Sequence, residues 1–180
     1  MDKQSCLGVY LSRQNATVVL LFTQGHTINV QDCFSVSAES VEEPGLSLAS
    51  VVARKIAARG RGFRSVAVAV DCALFTQHDL HSEFTSPKQI AQTIRFDAEE
   101  ALATDTADLA IAFNVTAADQ SGSDIAVFSA SRQLLTDILA DMQAGDLDPI
   151  SIEPDVVCLT RFFRHYLEPS TDAKIGRAHV

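Results

Sequence analysis

The hydrophobic and polar positions divide the chain into short segments with clear punctuation. Cys6–Leu11 is a short apolar run, and Ser12-Arg13-Gln14-Asn15 is polar and turn-like. Ala16–Phe22 is a second, β-branched run, and Thr27–Phe34 alternates apolar with polar residues as a half-solvated strand does. Three strands joined by tight polar turns predict an antiparallel meander. Pro44-Gly45 punctuates an acidic loop. Leu46, Leu48, Val51, Val52 and Ile56 then follow helical spacing, with Gly60 as the stop and Arg59 in the last turn. The apolar run Ser65–Val70 reads as a strand buried on both faces. A helix between two strands predicts a right-handed crossover, so this strand should lie parallel to a neighbour. The first 72 residues therefore predict β-β-β-α-β.

Past Val70 the pattern changes, and a small inserted subdomain is expected. A strand or loop across Ala73–Leu80 leads to Ser86-Pro87-Lys88-Gln89. There Ser86 suits a helix cap, Pro87 the first helical position, and Gln89 the reciprocal place in a capping box. Ile90, Ile94, Ala98 and Ala101 share one face of that helix, while Arg95, Glu99 and Glu100 look away. Asp108–Val115 and Asp124–Ala130 read as strands joined by the hairpin tip Ala118–Ser123. Ser131 caps a helix carrying Leu134, Leu135, Ile138, Leu139 and Met142, closed by Gly145. Ile150–Ile152 is expected as the insert's last strand. From Pro154 a final helix offers Val156, Val157, Leu159, Phe162, Phe163 and Tyr166 for burial, which implies a large partner surface, expected to be the host sheet.

Composition narrows the function more than the fold. The chain carries 14 basic and 23 acidic residues, a formal charge of −9. That balance argues against a nucleic-acid or anionic-membrane surface, both of which want clustered Lys and Arg. The one basic clump, Arg59, Arg61 and Arg64, has no interleaved aromatics and reads as a helix end complementing its dipole. Cys6, Cys33, Cys72 and Cys158 lie far apart with no zinc spacing, so free thiols in a reducing compartment are expected, and no metal site. His78 and His81 stand three apart in what reads as a polar loop and do not alter that expectation. No signal peptide and no apolar run long enough for a bilayer stands out, which predicts a soluble chain without direct membrane insertion.

Several phrases, taken in order, resemble one family. Leu7–Val19 is similar to the first hairpin of an actin-like ATPase domain. Val66–Asp71, Gln89–Leu102, Val127–Arg132 and Gly145–Pro154 resemble the type IV pilus assembly PilM family and the cytoplasmic domain of type II secretion GspL, with the layout of the cell-division FtsA proteins. The resemblance covers Cys6 to Tyr166. It implies an α/β fold: the first lobe of an actin-like (ribonuclease H-like) fold with an inserted α+β subdomain. The expected organisation is 1–72 for the first part of the lobe, 73–153 for the insert, 154–167 for a helix returning to the lobe, and 168–180 for a tail. Ile175–Val180 resembles a translated sequencing adapter, so 175–180 is expected to be foreign and the chain an N-terminal fragment.

The resemblance also implies a role. Such a protein is a cytoplasmic scaffold, peripheral to the inner membrane, that binds the cytoplasmic tail of a single-pass membrane assembly protein near the junction of lobe and insert. A lobe without its partner lobe should also self-associate through exposed apolar area. In actin-like ATPases the first turn carries an acid, a glycine and, in this branch, a following lysine. The matching positions here are Tyr10, Ser12 and Thr17. Ser12, Arg13, Gln14, Asn15 and Thr17 thus form a degenerate phosphate turn, which retains only backbone amides and an Arg for an anion. No cofactor is expected for this chain, with ATP reserved for a longer protein that contains the second lobe.

Two other readings compete. One is a truncated actin-like ATPase or sugar-kinase-type enzyme, which the missing first-turn carboxylate disfavours. The other is a free-standing α/β module of unrelated ancestry. No catalytic residue is expected: Ser129-Ala130-Ser131 lacks the flanking glycines of a nucleophile elbow, and adjacent Glu99 and Glu100 diverge on a helix.

Overall fold

The computed structural model describes residues 4–24, 27–41, 45–60, 62–103 and 105–166. The expected tail 168–180, its proposed foreign end 175–180, Arg61 and the side chain of Tyr166 lie outside the described residues.

Two sheets organise the chain. The larger has the order β3-β2-β1-β4-β8. Its first three strands, β1 (Gln4–Leu11), β2 (Asn15–Gln24) and β3 (Thr27–Ser37), form the predicted meander. Helix α1 (Leu48–Arg59) then crosses to β4 (Ser65–Val70), which pairs in parallel with β1, Leu7 opposite Val66 and Leu11 opposite Val70. The stop signal of α1 works as expected. Gly60 takes the left-handed conformation, φ 60°, and its N–H donates to the Ala57 carbonyl. Arg59 has a local task at this end: it lies 3.7 Å over the Phe34 ring and 3.5 Å from Asp32.

The strand β4 is not buried equally on both faces. Val66, Val68 and Val70 are buried, whereas Ser65, Ala67 and Ala69 are only half-buried. The valines face a core made with Val52, Ala53 and Ile56 of α1 and with Ile138 and Met142 of α3 (Arg132–Gln143). Small residues on the other face gave the segment its unbroken apolar look, although periodicity two was present all along.

The smaller sheet has the order β5-β7-β6. It comprises β5 (Thr76–Ser82), β6 (Leu109–Asp119) and β7 (Gly122–Ser131), with α2 (Pro87–Leu102) packed on one face. Ile90, Ile94 and Ala98 meet Ile125 and Val127 in a core of their own. Ala101 is exposed, and Leu102 packs in its place. The capping box at the start of α2 does not form: Ser86 makes no side-chain cap bond, and its carbonyl accepts the N–H groups of Gln89 and Ile90 instead. Ser131 does cap α3, accepting from the Leu134 N–H. Only two residues, Gln120 and Ser121, separate β6 from β7, and Gly122 has φ +140°. A Cβ there would lie 2.1 Å from the Ser82 carbonyl oxygen, so β5 can approach only a glycine.

The expected extent of the insert, 73–153, needs correction at its far side. Helix α3 packs on α1 in the large core, and β8 (Pro149–Pro154) pairs in parallel with β4, Val68 opposite Ile152. Residues 132–153 thus sort with the large sheet. What stands apart is β5-α2-β6-β7 alone. The helix predicted from Pro154 is α4 (Asp155–Tyr166), and its burial also differs from expectation. Leu159, Phe162 and Phe163 are 53%, 51% and 51% exposed, so the host sheet covers only part of the helix.

Candidate functional site

In the degenerate phosphate turn the amides of Ser12, Gln14 and Asn15 bond within the turn. The Ser12 N–H donates to the Asn15 carbonyl at 2.8 Å, closing the β1–β2 turn. The Ser12 hydroxyl donates to the same carbonyl at 2.9 Å and accepts from the N–H groups of Gln14 and Asn15 at 3.3 and 2.9 Å. The amides of Gln14 and Asn15 are therefore turned onto Ser12. Thr17 lies across from Tyr10, and its hydroxyl is 3.0 Å from that of Ser35. Arg13 is exposed at the turn.

Beside this turn, at the ends of β1 and β4, the fold gathers a trio that sequence spacing hides. Asp71, Cys72 and Asp155 place one ligand atom each within 4.8 Å of one another. Both carboxylates already serve as caps. Asp71 Oδ1 accepts the Ala73 N–H at 2.9 Å, and Asp155 Oδ1 accepts the Cys72 N–H at 3.0 Å across 83 residues of sequence. Lost hydration, then Asp155 and Asp71, push the Cys72 thiol up, which keeps it protonated and a weak ligand. The Tyr10 phenol is pushed up by desolvation first and then by the same two acids. This corner is electronegative, and one oxygen of each carboxylate already holds a backbone amide.

The histidines, Ser129 and the paired glutamates separate in space. His78 and His81 lie on strand β5, not in a loop, so an odd spacing sends them to opposite faces. His81 Nδ1 meets Asp124 on β7 at 2.9 Å. Ser129 is buried, and Glu99 and Glu100 are exposed on α2.

A larger concavity lies elsewhere among the described residues: a cleft of about 760 Å³ between the small sheet and the β8–α4 corner of the large one. Phe75, Ala112, Ala126, Phe128 and Leu135 make one side apolar. Ile152, Val156 and Val157 line the opposite side, with Glu153, Arg161 and Arg164 as its ionisable groups. Glu153 holds Arg161 at both ends, Nη1 to Oε1 at 3.3 Å and Nη2 to Oε2 at 2.8 Å, which raises the guanidinium's proton affinity further. By contrast, the hollow lined by Leu7, Phe34 and Ile56 measures about 20 Å³, room for a single water. Sequence reasoning assigned no residues to the large cleft. Its walls come from β5, β6, β7, α3, β8 and α4, and no local signal joins them.

A meander, a helical crossover and two parallel strands in the order 3-2-1-4-8, with a compact guest between the last two, define an actin-like lobe. The fold of solved structures agrees. The chain superimposes on the cytoplasmic domain of EpsL, an inner-membrane component of the type II secretion system of Vibrio cholerae, with TM-score 0.60 at 19% identity over 86% of this chain. It also superimposes on a chain of the PilM–PilN type IV pilus biogenesis complex with TM-score 0.71 at 15% identity over 89% of this chain. It spans 58% and 50% of those two chains. No curated protein sequence matches. The profile of the type II secretion system protein L family matches residues 27–166, and the chain belongs to that family. Membership ties it to the type II secretion machinery. Among the described residues no helix is long and apolar enough to cross a membrane.

Proposed function

We propose that this chain is part of a cytoplasmic scaffold at the inner-membrane platform of a type II secretion or type IV pilus system, and that it performs no catalysis. Its task is to hold the cytoplasmic tail of a single-pass membrane protein in the cleft between the two sheets. The observation that carries the reading is that cleft: about 760 Å³, apolar on its inner side, and bounded by the insert on one side and the main lobe on the other. Family membership and the likeness to a chain of a PilM–PilN complex support it. The competing enzyme reading meets Tyr10 and Ser12 where an actin-like ATPase has an acid and a glycine, and a turn in which the Gln14 and Asn15 amides are already bonded to Ser12.

The test uses the full-length protein and synthetic peptides matching the cytoplasmic tails of the single-pass membrane proteins encoded beside it, followed by fluorescence anisotropy. Saturable binding by one tail, weakened at least tenfold by Ala112→Trp with an unchanged circular dichroism spectrum, is the expected result. Equal binding by the filled-cleft variant overturns the reading. Calorimetric binding of magnesium ATP to the full-length protein would favour the enzyme.

A further inference from the structure

Strand β3 is an edge of the large sheet, with β2 as its one neighbour among the described residues. It runs for 11 residues without the proline, lysine or arginine that guard an edge. The opposite edge, β8, is 6 residues long and has proline at both ends. Thr27, Ile28, Asn29, Val30 and Gln31 are all exposed, Ile28 at 43% and Val30 at 65%. A row of backbone N–H and C=O groups flanked by two apolar side chains is thus open to a further strand.

The pairing with β2 shifts between Leu20 and Leu21, which leaves Gln31 as the extra residue of a bulge. Before the bulge Ile28 lies across from Thr23 and Val30 from Leu21, on the face turned away from the α1 core. Beyond it Asp32 and Phe34 face that core, and Arg59 meets both. The open ribbon is therefore Thr27–Gln31. It reads the same from either end: polar, apolar, polar, apolar, polar.

This pattern selects the partner. The ribbon is complementary to itself in antiparallel pairing, the direction a two-fold axis requires. With the axis at Asn29, Ile28 of each copy faces Val30 of the other, Thr27 faces Gln31, and the two Asn29 residues face each other. Opposed apolar pairs of this kind stabilise a sheet. Moving the axis to Val30 would set Asp32 of each copy against Ile28 of the other. Charge points the same way. The chain carries −9 overall, yet no residue from Thr27 to Gln31 is charged. A second copy meets no like charge along the ribbon, and a cationic partner gains nothing from it.

We propose that two copies of this chain pair through Thr27–Gln31 of β3, antiparallel about Asn29, and join their large sheets into one continuous sheet. So short a ribbon buries less than the roughly 1,200 Å² of a stable free dimer, so the contact is weak and works between copies already held side by side. The experiment is disulfide trapping at high concentration of the full-length protein, with its native cysteines replaced by serine and Asn29→Cys introduced, read on a non-reducing gel. Directly opposed residues of an antiparallel pair have Cα atoms about 4.5–5.5 Å apart, within disulfide reach. A covalent dimer is expected. Val30→Lys should cut its yield about fivefold, and adding Ile28→Asp should restore it, because each lysine then faces an aspartate of the other copy. With Cys33 restored and Asn29 intact no dimer should form, since the two Cys33 residues would stand about 26 Å apart. No dimer through Asn29→Cys, a yield that Val30→Lys leaves unchanged, or trapping through Cys33 instead overturns the pairing. Tail binding in the cleft is measured separately and depends on none of these outcomes.

Discussion

Gly145 lies so close to Ala53 that a Cβ on the glycine would sit 2.5 Å from the Cβ of the alanine. This is where α3 meets α1, and it joins a residue expected in the insert to one in the lobe's first helix. Gly145→Ala forces the two apart. A destabilisation of about 1–3 kcal/mol is expected, read as a lowered urea midpoint with unchanged slope.

The same allegiance of α3 gives a second prediction. Met142 is wholly buried in the large core, and Ile94 is buried in the small one. Met142→Ala should cost about 2–5 kcal/mol and speed amide exchange in α1 and β4. Ile94→Ala should cost a similar amount but speed exchange in β6 and β7. If both variants loosen the same amides, the two cores are one cooperative unit.

The His81–Asp124 contact joins β5 to β7 and is titratable. The hydrogen bond to Asp124, followed by the Ser121 backbone, holds the His81 pKa above its ordinary value. A raised folded-state pKa means that the imidazolium stabilises the fold below the ordinary histidine pKa of about 6.5 and that the benefit fades as pH rises through the higher folded value. Asp124→Asn should therefore lower Tm more at about pH 5.5 than at about pH 8.5. A pH-independent difference would mean the contact acts only as a neutral hydrogen bond.

Ser12 organises the first turn by three bonds through one hydroxyl. Ser12→Ala should cost about 0.5–1.5 kcal/mol in chemical denaturation. Ser12→Gly should cost more, because it adds backbone freedom while removing the same bonds.

Leu159, Phe162 and Phe163 form an apolar surface on α4 that the described residues leave half-exposed, with the two Phe rings edge to face at 6.0 Å. Self-association of this chain, increasing with concentration, is the expected outcome in sedimentation velocity. Phe162→Ser combined with Phe163→Ser should return it to monomer without loss of stability beyond about 1–2 kcal/mol, since neither ring is in the core.

Much of the fold is legible along the chain because each feature has a local cause. Gly60 ends α1 through a positive φ, Ser131 starts α3 through its hydroxyl, and Ile90, Ile94 and Ala98 mark the inner face of α2. Strand β5 was harder to read. Leu80 is its one large apolar residue facing inward, and Ser82 fills the other buried place, so alternation gave little contrast. The candidate site was far less legible. The residues around the cleft are ordinary core and edge types, Ala112, Phe128 and Ile152 among them, and each has a structural role besides lining it. Asp155 reaches the Cys72 amide only through the fold, across 83 residues of sequence.

By itself the sequence determined most of the helices and strands and several of their ends, because glycine conformations, single caps such as Ser131 and hydrophobic spacing act over a few residues. It also carried the ordered phrases that resemble the protein L family. Only the tertiary structure decided which sheet β8 joins, since six residues of strand carry no mark of their partner and parallel pairing with β4 is a long-range choice. The same long-range packing left α4 half-covered and set the small sheet and the β8–α4 corner around one cleft, which is why the chain's candidate function lies in a space that no segment of it encloses alone.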